Sequence, residues 1–214
     1  MSWKEERIRE LSSQLEAARS IPLEKIASEI RKIGFQCTRC GECCKGDENS
    51  VVVFPFEMRR IATRTGEPWQ ETVEPPCTGE WDSQGNFHTL EWRIKKRCGS
   101  CRYYKTDKGC QVYEDRPLLC STYPFYIEDG ALSASECRGL GLEIGMDEAR
   151  ELASRLIGRH KTEIEEAMAL VENYSDFDRG GPRCDGQCIV HDSEGEHRIA
   201  WTPELLRRCR DGHE

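Results

Sequence analysis

Gly34 to Lys45 reads GFQCTRCGECCK, and it places Cys37, Cys40, Cys43 and Cys44 within eight residues. A thiolate, not a thiol, binds soft metals, so cysteines this dense are read as metal ligands. The x2 spacing lets the chain fold around a metal with its backbone N–H groups turned toward the sulfurs. Cys37, Cys40 and Cys43 repeat the C-x2-C-x2-C run that supplies three ligands in bacterial-type iron–sulfur centres, with a fourth ligand from elsewhere. Cys44 follows Cys43 directly. The two side chains should therefore diverge, which lets Cys44 reach a second centre.

On the N-terminal side, residues 3–19 read as a charged amphipathic helix with Ile8, Leu11, Leu15 and Ala18 at spacings of three and four. Its narrow stripe serves either packing or a partner. A second helix starts at a Ser20 cap with Pro22 in its first turn, buries Leu23, Ile26, Ala27, Ile30 and Ile33, and stops at Gly34. It delivers the chain directly into the cysteine loop.

On the C-terminal side, Val51 to Phe54 is a short strand candidate closed by Pro55, and 56–65 reads as a helix ending at Gly66. Glu67 to Gly85 is rich in Pro, Gly and acids and reads as a surface crossing, with Cys77 expected as a free thiol. Phe87 to Ile94 has strand-like content. A second cysteine-rich stretch, Cys98 to Cys120, reads CGSCRYYKTDKGCQVYEDRPLLC, with a turn at Asp107-Lys108-Gly109. Asp129-Gly130 marks a hairpin, and Cys137 follows. Asp147 opens a long helix to about Tyr174 with a clear apolar stripe; His160, on that stripe, reads as packing. After a linker-like run at 178–182, residues 188–201 read as a hairpin, and Thr202 caps a last short helix. Cys184, Cys188, His191 and Cys209 could form a further metal site, but a hairpin with incidental thiols explains them as well.

Composition narrows the classes. The net charge of -8 and pI near 5.3 disfavour general binding to a nucleic-acid backbone. Thirteen cysteines are about 6% of the chain, short of the roughly 8–10% typical of small secreted disulfide scaffolds. The N-terminus shows no apolar signal region, and no run approaches the ~18 apolar residues of a membrane span. Together these predict a cytoplasmic protein whose cysteines bind metal rather than pair.

The two cysteine stretches together resemble the CxxCxxCC zinc- or iron-chelating proteins, the YkgJ-type cysteine-cluster family. The first motif matches at Cys37, Cys40, Gly41, Cys43 and Cys44. The second matches at Cys101, at Cys110 through Pro117, and at Cys120 with Tyr123-Pro124-Phe125. The third matches at Cys137, Gly139 and Gly141. The resemblance covers residues 34–145 and implies metal or iron–sulfur binding by Cys37, Cys40, Cys43, Cys44, Cys101, Cys110, Cys120 and Cys137. Cys77, Cys98, Cys184, Cys188 and Cys209 fall outside the pattern. Flagellin lysine methylases carry a similar segment, which hints at S-adenosylmethionine-dependent methyl transfer, though no glycine-rich nucleotide loop follows a strand here.

Eight thiolates suit two four-thiolate zinc sites or two cubane clusters equally well. The C-x2-C-x2-C run, the adjacent Cys43-Cys44 pair and the flanking cations tilt the reading to iron–sulfur, of the 4Fe-4S type, with Zn2+ as the alternative. Arg116, fixed by the following proline, is the expected cation beside the ligands. The fold expectation is α+β: N-terminal helices over 1–33, an irregular metal-organised centre with short strands over 34–145, a long helix over 146–180 and a small hairpin-plus-helix tail over 181–214. The functional expectation is an electron-transfer or redox accessory protein with a redox partner reached through the N-terminal helices. The alternatives are a zinc-stapled interaction module and a methyltransferase-like enzyme. No catalytic residue can be named from the sequence.

Overall fold

The computed structural model describes residues 2–46, 50–183 and 186–202, together with Leu205, Arg207 and Cys209. The chain begins with α1 (Trp3–Arg19), α2 (Leu23–Ile33) and a 3-10 turn at Glu42–Cys44. Next come β1 (Val52–Val53), α3 (Pro55–Thr65), α4 (Trp69–Thr72), β2 (Val73–Glu74), β3 (Gly79–Trp81), β4 (Phe87–Leu90) and β5 (Trp92–Ile94). Short ribbons follow, β6 (Lys96–Arg97) with β7 (Ser100–Cys101), then β8 (Tyr104–Lys105) with β9 (Gly109–Cys110). After a 3-10 turn at Tyr113–Asp115 lie α5 (Leu118–Thr122), β10 (Phe125–Glu128), β11 (Ala131–Ala134), α6 (Met146–Asn173), β12 (Cys188–Asp192) and β13 (Gly195–Ile199). This is the expected α+β class. Among the described residues no helix is long and apolar enough to cross a membrane.

The chain divides into two units, residues 1–46 with 103–165 and residues 47–102 with 166–214. In the first unit, Ser2 caps α1: its hydroxyl accepts the Glu5 N–H at 3.3 Å while its own N–H donates to Glu5 Oε2 at 2.9 Å. Helix α2 buries Ile26, Ala27 and Ile30 against Ala149, Leu152, Ala153, Leu156 and Ile157 of α6. Full burial of each large aliphatic side chain contributes about 1.5–3 kcal/mol. Phe35, the first large residue past α2, meets Phe125 of β10 edge-on with centroids 5.5 Å apart. The cysteine loop thus hangs from an ordinary apolar core. Arg159 on α6 ties in α5 and β10, donating to Thr122 Oγ1 at 2.6 Å and to the Phe125 carbonyl at 3.2 Å.

In the second unit, the expected strand over 87–94 is two strands, because Glu91 takes a left-handed φ of 61° between them. β5 sits between β1 and β2, while β4 joins a four-stranded sheet of order β13-β12-β4-β3. The C-terminal hairpin forms as expected, but β12 also pairs in parallel with β4, so it is built into a sheet begun a hundred residues earlier. Hydrophobic periodicity cannot reveal that pairing, because it reports a buried strand without naming its neighbour. Trp92 donates its indole N–H to Asp192 at 2.9 Å. Leu205 donates its N–H to Thr202 Oγ1 at 3.1 Å, the expected cap. Cys77 is not a free thiol: it is disulfide-bonded to Cys209, with their α-carbons 4.6 Å apart. Nothing local in the loop around Cys77 announces a partner 132 residues away.

Candidate metal centre

The cysteine loop is stitched to the chain around Cys137 by backbone bonds. Gln36 N–H donates to the Gly139 carbonyl at 3.0 Å, Gly141 N–H donates to the Gly34 carbonyl at 3.0 Å, and Phe35 bridges Leu140. Gln36 Nε2 adds a bond to the Glu143 carbonyl at 2.6 Å. Gly139 is obligatory at this seam, since a Cβ there would overlap the Gln36 carbonyl. Its N–H also points at Cys137 Sγ, 3.4 Å away. An N–H donated to sulfur favours the thiolate and is the kind of partner that tunes a sulfur-bound metal.

Within the loop, Gly41 takes a left-handed φ of 75° and turns the chain into the 3-10 turn of Glu42–Cys44. A Cβ at Gly41 would run into the Tyr104 ring of β8, so only glycine lets that ring pack there. The β8–β9 ribbon carries Cys110, and Gln111 N–H closes it onto the Tyr103 carbonyl at 2.8 Å. Arg116 is extended before Pro117. It donates to the Tyr113 carbonyl at 2.6 Å and lays its guanidinium 3.8 Å from the Tyr113 ring centre; Arg39 approaches the same ring at 4.3 Å.

Electrostatics show which thiols share a neighbourhood. A hydrogen bond from Cys44 brings the Cys43 thiol down to about 7, helped by a backbone N–H and the Arg116 charge and opposed by burial and Glu42. Burial raises Cys137, and thiolate charge at Cys40, Cys43 and Cys37 raises it further, against the Gly139 N–H. Burial raises Cys110, with Arg116 countering and Cys43 adding. Burial raises the Tyr123 phenol, then Cys137, Cys43 and Cys40 in turn. Tyr123 therefore lies among three of the thiols, and its hydroxyl donates to the Glu136 carbonyl. The sequence marked Tyr123 only as part of a motif.

Cys37, Cys40, Cys43, Cys44, Cys110 and Cys137 thus act on one another within the first unit, and Arg116 acts on two of them. Cys120 lies half-buried on α5 of the same unit, and Cys101 lies on β7 of the other unit. Among the described residues no three Cys, His, Asp or Glu side chains already enclose a metal-sized centre. The donor set itself, all sulfur with N–H and guanidinium neighbours, suits zinc or iron.

The alternative tail site does not assemble from described residues. Cys209 is in the disulfide, and Cys188 is fully buried with its thiol pushed up to about 12 by desolvation. His191 is hydrogen-bonded to His88, and Cys184 lies outside the described residues.

Two comparisons bear on this centre. "Uncharacterized protein MJ0661" of Methanocaldococcus jannaschii is 25% identical over 126 residues, covering 54% of this chain and 63% of its own length. The chain therefore spans less than two thirds of that relative. No solved structure matches. The family model CxxCxxCC, described as "Putative zinc- or iron-chelating domain", matches residues 36–138, which hold the eight expected ligand cysteines, and over those residues the chain belongs to this family.

Proposed function

We propose that Cys37, Cys40, Cys43 and Cys137 hold one iron–sulfur cluster of the 4Fe-4S type, and that the protein works as an electron carrier or redox accessory. One observation carries this reading. Backbone bonds at the Gln36–Gly139 seam hold Cys137 beside the C-x2-C-x2-C loop, near enough for charge on Cys37, Cys40 and Cys43 to bear on it. A three-plus-one set is what such a run requires. The Gly139 N–H on Cys137 and the Arg116 charge beside Cys43 and Cys110 supply the donors and cation that stabilise a reduced, more negative cluster. Cys44, Cys110 and Cys120 of the same unit are the candidates for a second centre; Cys101 is the remaining expected ligand.

The test is anaerobic purification of the wild type and Cys137→Ser, with iron, sulfide and zinc analysis and electron paramagnetic resonance after reduction. The wild type should contain iron and acid-labile sulfide in equal amounts, and Cys137→Ser should lose or alter that signal. A colourless protein with stoichiometric zinc and no sulfide would refute the reading and support a zinc-stapled module instead.

A further inference from the structure

Asp82 and His88, six residues apart, meet His191 about a hundred residues on in a buried chain inside the second unit. Asp82 Oδ2 lies 3.0 Å from His88 Nε2, and His88 Nδ1 lies 2.8 Å from His191 Nε2. Asp82 is 7% exposed, His88 8% and His191 1%. Both histidines project from one sheet, since β4 and β12 pair in parallel with Ile189 opposite His88.

The Asp82 carboxylate orders the protons in this chain. Asp82 is a carboxylate, held well below the usual range at about 2: burial raises it, but Asn86, His88 and the Asn86 and Gln84 N–H groups lower it more. A carboxylate only accepts, so His88 donates from Nε2. Because His191 Nδ1 is buried with no acceptor in reach among the described residues, the arrangement that strands no N–H has His88 accepting at Nδ1 and His191 donating from Nε2. His191 Nδ1 is left as a bare lone pair. It is buried and has no hydrogen-bond partner among the described residues.

The rings lying on this pair come from the segment that leaves α6. Phe177 stacks on His88 with centroids 3.7 Å apart, and Tyr174 tilts over His191 at 4.8 Å. The segment is fastened at the Asp82 turn. Ser83 N–H donates to the Asp178 carbonyl at 2.8 Å, Gly180 N–H donates to the Trp81 carbonyl at 2.7 Å, and Arg179 Nε reaches Glu80 at 2.9 Å. Residues 174–180 are thus a strap across the histidines, pinned next to the carboxylate that orients them.

We propose that the Asp82–His88–His191 chain is a proton-binding site that controls this strap, taking one proton at His191 Nδ1 and releasing residues 174–180 from the sheet. The reaction is proton uptake from water alone. The imidazolium so formed keeps its Nε2–H bond to His88 but carries a second N–H with no acceptor, and hydration reaches it when the aromatic cover lifts. Proton affinity is therefore higher with the strap off, and by linkage the proton favours the open strap. Of the titratable groups facing His191, positive charge on the His88 or His197 ring opposes a proton, and Glu196 and Asp192 favour it; burial outweighs them and lowers its affinity. Around Tyr174 the charges are Asp176, Glu80 and Arg179.

The test uses the full-length, metal-loaded protein. Histidine 15N spectra at pH ~7.5 should show Nε2–H and bare Nδ1 on both His88 and His191. Amide exchange across 174–183, corrected for the intrinsic pH effect, should rise by up to about tenfold per pH unit below ~6.5. His191→Gln keeps an N–H for His88 but cannot titrate, and its strap should not respond. Independently, Tyr174→Ala should move the His191 midpoint upward. A protonated Nδ1 at pH ~7.5, a pH-insensitive strap in the wild type, an equal response in His191→Gln, or an unmoved midpoint in Tyr174→Ala would each overturn the proposal.

Discussion

Asp82→Asn tests the electrostatic anchor of the second unit. The Asp82 carboxylate takes four donors: Gln84 N–H at 2.9 Å and Asn86 N–H at 2.7 Å on Oδ1, and Asn86 Nδ2 at 2.9 Å and His88 at 3.0 Å on Oδ2. These hold its pKa at about 2 against an ordinary 3.8, despite burial. At about 1.4 kcal/mol per unit, that difference makes ionisation of Asp82 worth about 2 kcal/mol to the fold. Because the folded pKa is depressed, this stability is fully present above 3.8 and is lost as the pH falls toward about 2. Asparagine keeps one oxygen for the backbone N–H groups but turns an N–H toward His88 and Asn86, leaving donors face to face. Urea unfolding followed by tryptophan fluorescence suits the measurement, since Trp69, Trp81, Trp92 and Trp201 all lie in this unit. At neutral pH the variant should be less stable by about 2 kcal/mol, and the gap should shrink as acid protonates the wild-type carboxylate. Equal stability at neutral pH, or a gap independent of pH between ~4 and ~2, would refute the reasoning.

Further expectations concern the two units separately. Gly139→Ala forces a methyl group into the Gln36 carbonyl and should cost the first unit about 1–3 kcal/mol together with much of its bound metal, read by urea melts and metal analysis. Arg159→Met removes the donor to Thr122 and Phe125 and the partner of Glu163, and a loss of about 2–4 kcal/mol in the same melts is expected. Cys77→Ser opens a loop spanning 132 residues; the chain-entropy model predicts a loss of about 4–5 kcal/mol without reductant and none relative to the reduced wild type.

Much of the helical architecture was legible because the residues that start and stop it are local. Gly34 and Gly66 end α2 and α3, and Asp129-Gly130 turns β10 into β11. The donor chemistry was legible too, since close cysteine spacing needs no tertiary information. What the sequence hid depends on distant chain meeting. The spacing of the run calls for a fourth ligand without naming it; the motif resemblance offers Cys137 as one of several, and only the Gln36–Gly139 seam sets it beside the loop, which is why we propose it. His88 and His191 meet through a parallel β4–β12 pairing across a hundred residues, which has no local signature. Cys77 and Cys209 fall in segments with nothing to link them. The apolar core of α2 and α6 was visible as periodicity, but its position under the cysteine loop depends on the long-range contact of Phe35 with Phe125.

X-ray absorption at the metal edge of the anaerobically purified wild type addresses the sulfur-held centre most directly. Iron in a first shell made wholly of sulfur, with a second iron at short range, is the predicted spectrum. A shell of nitrogen and oxygen, or a folded first unit that binds no metal at all, would contradict it.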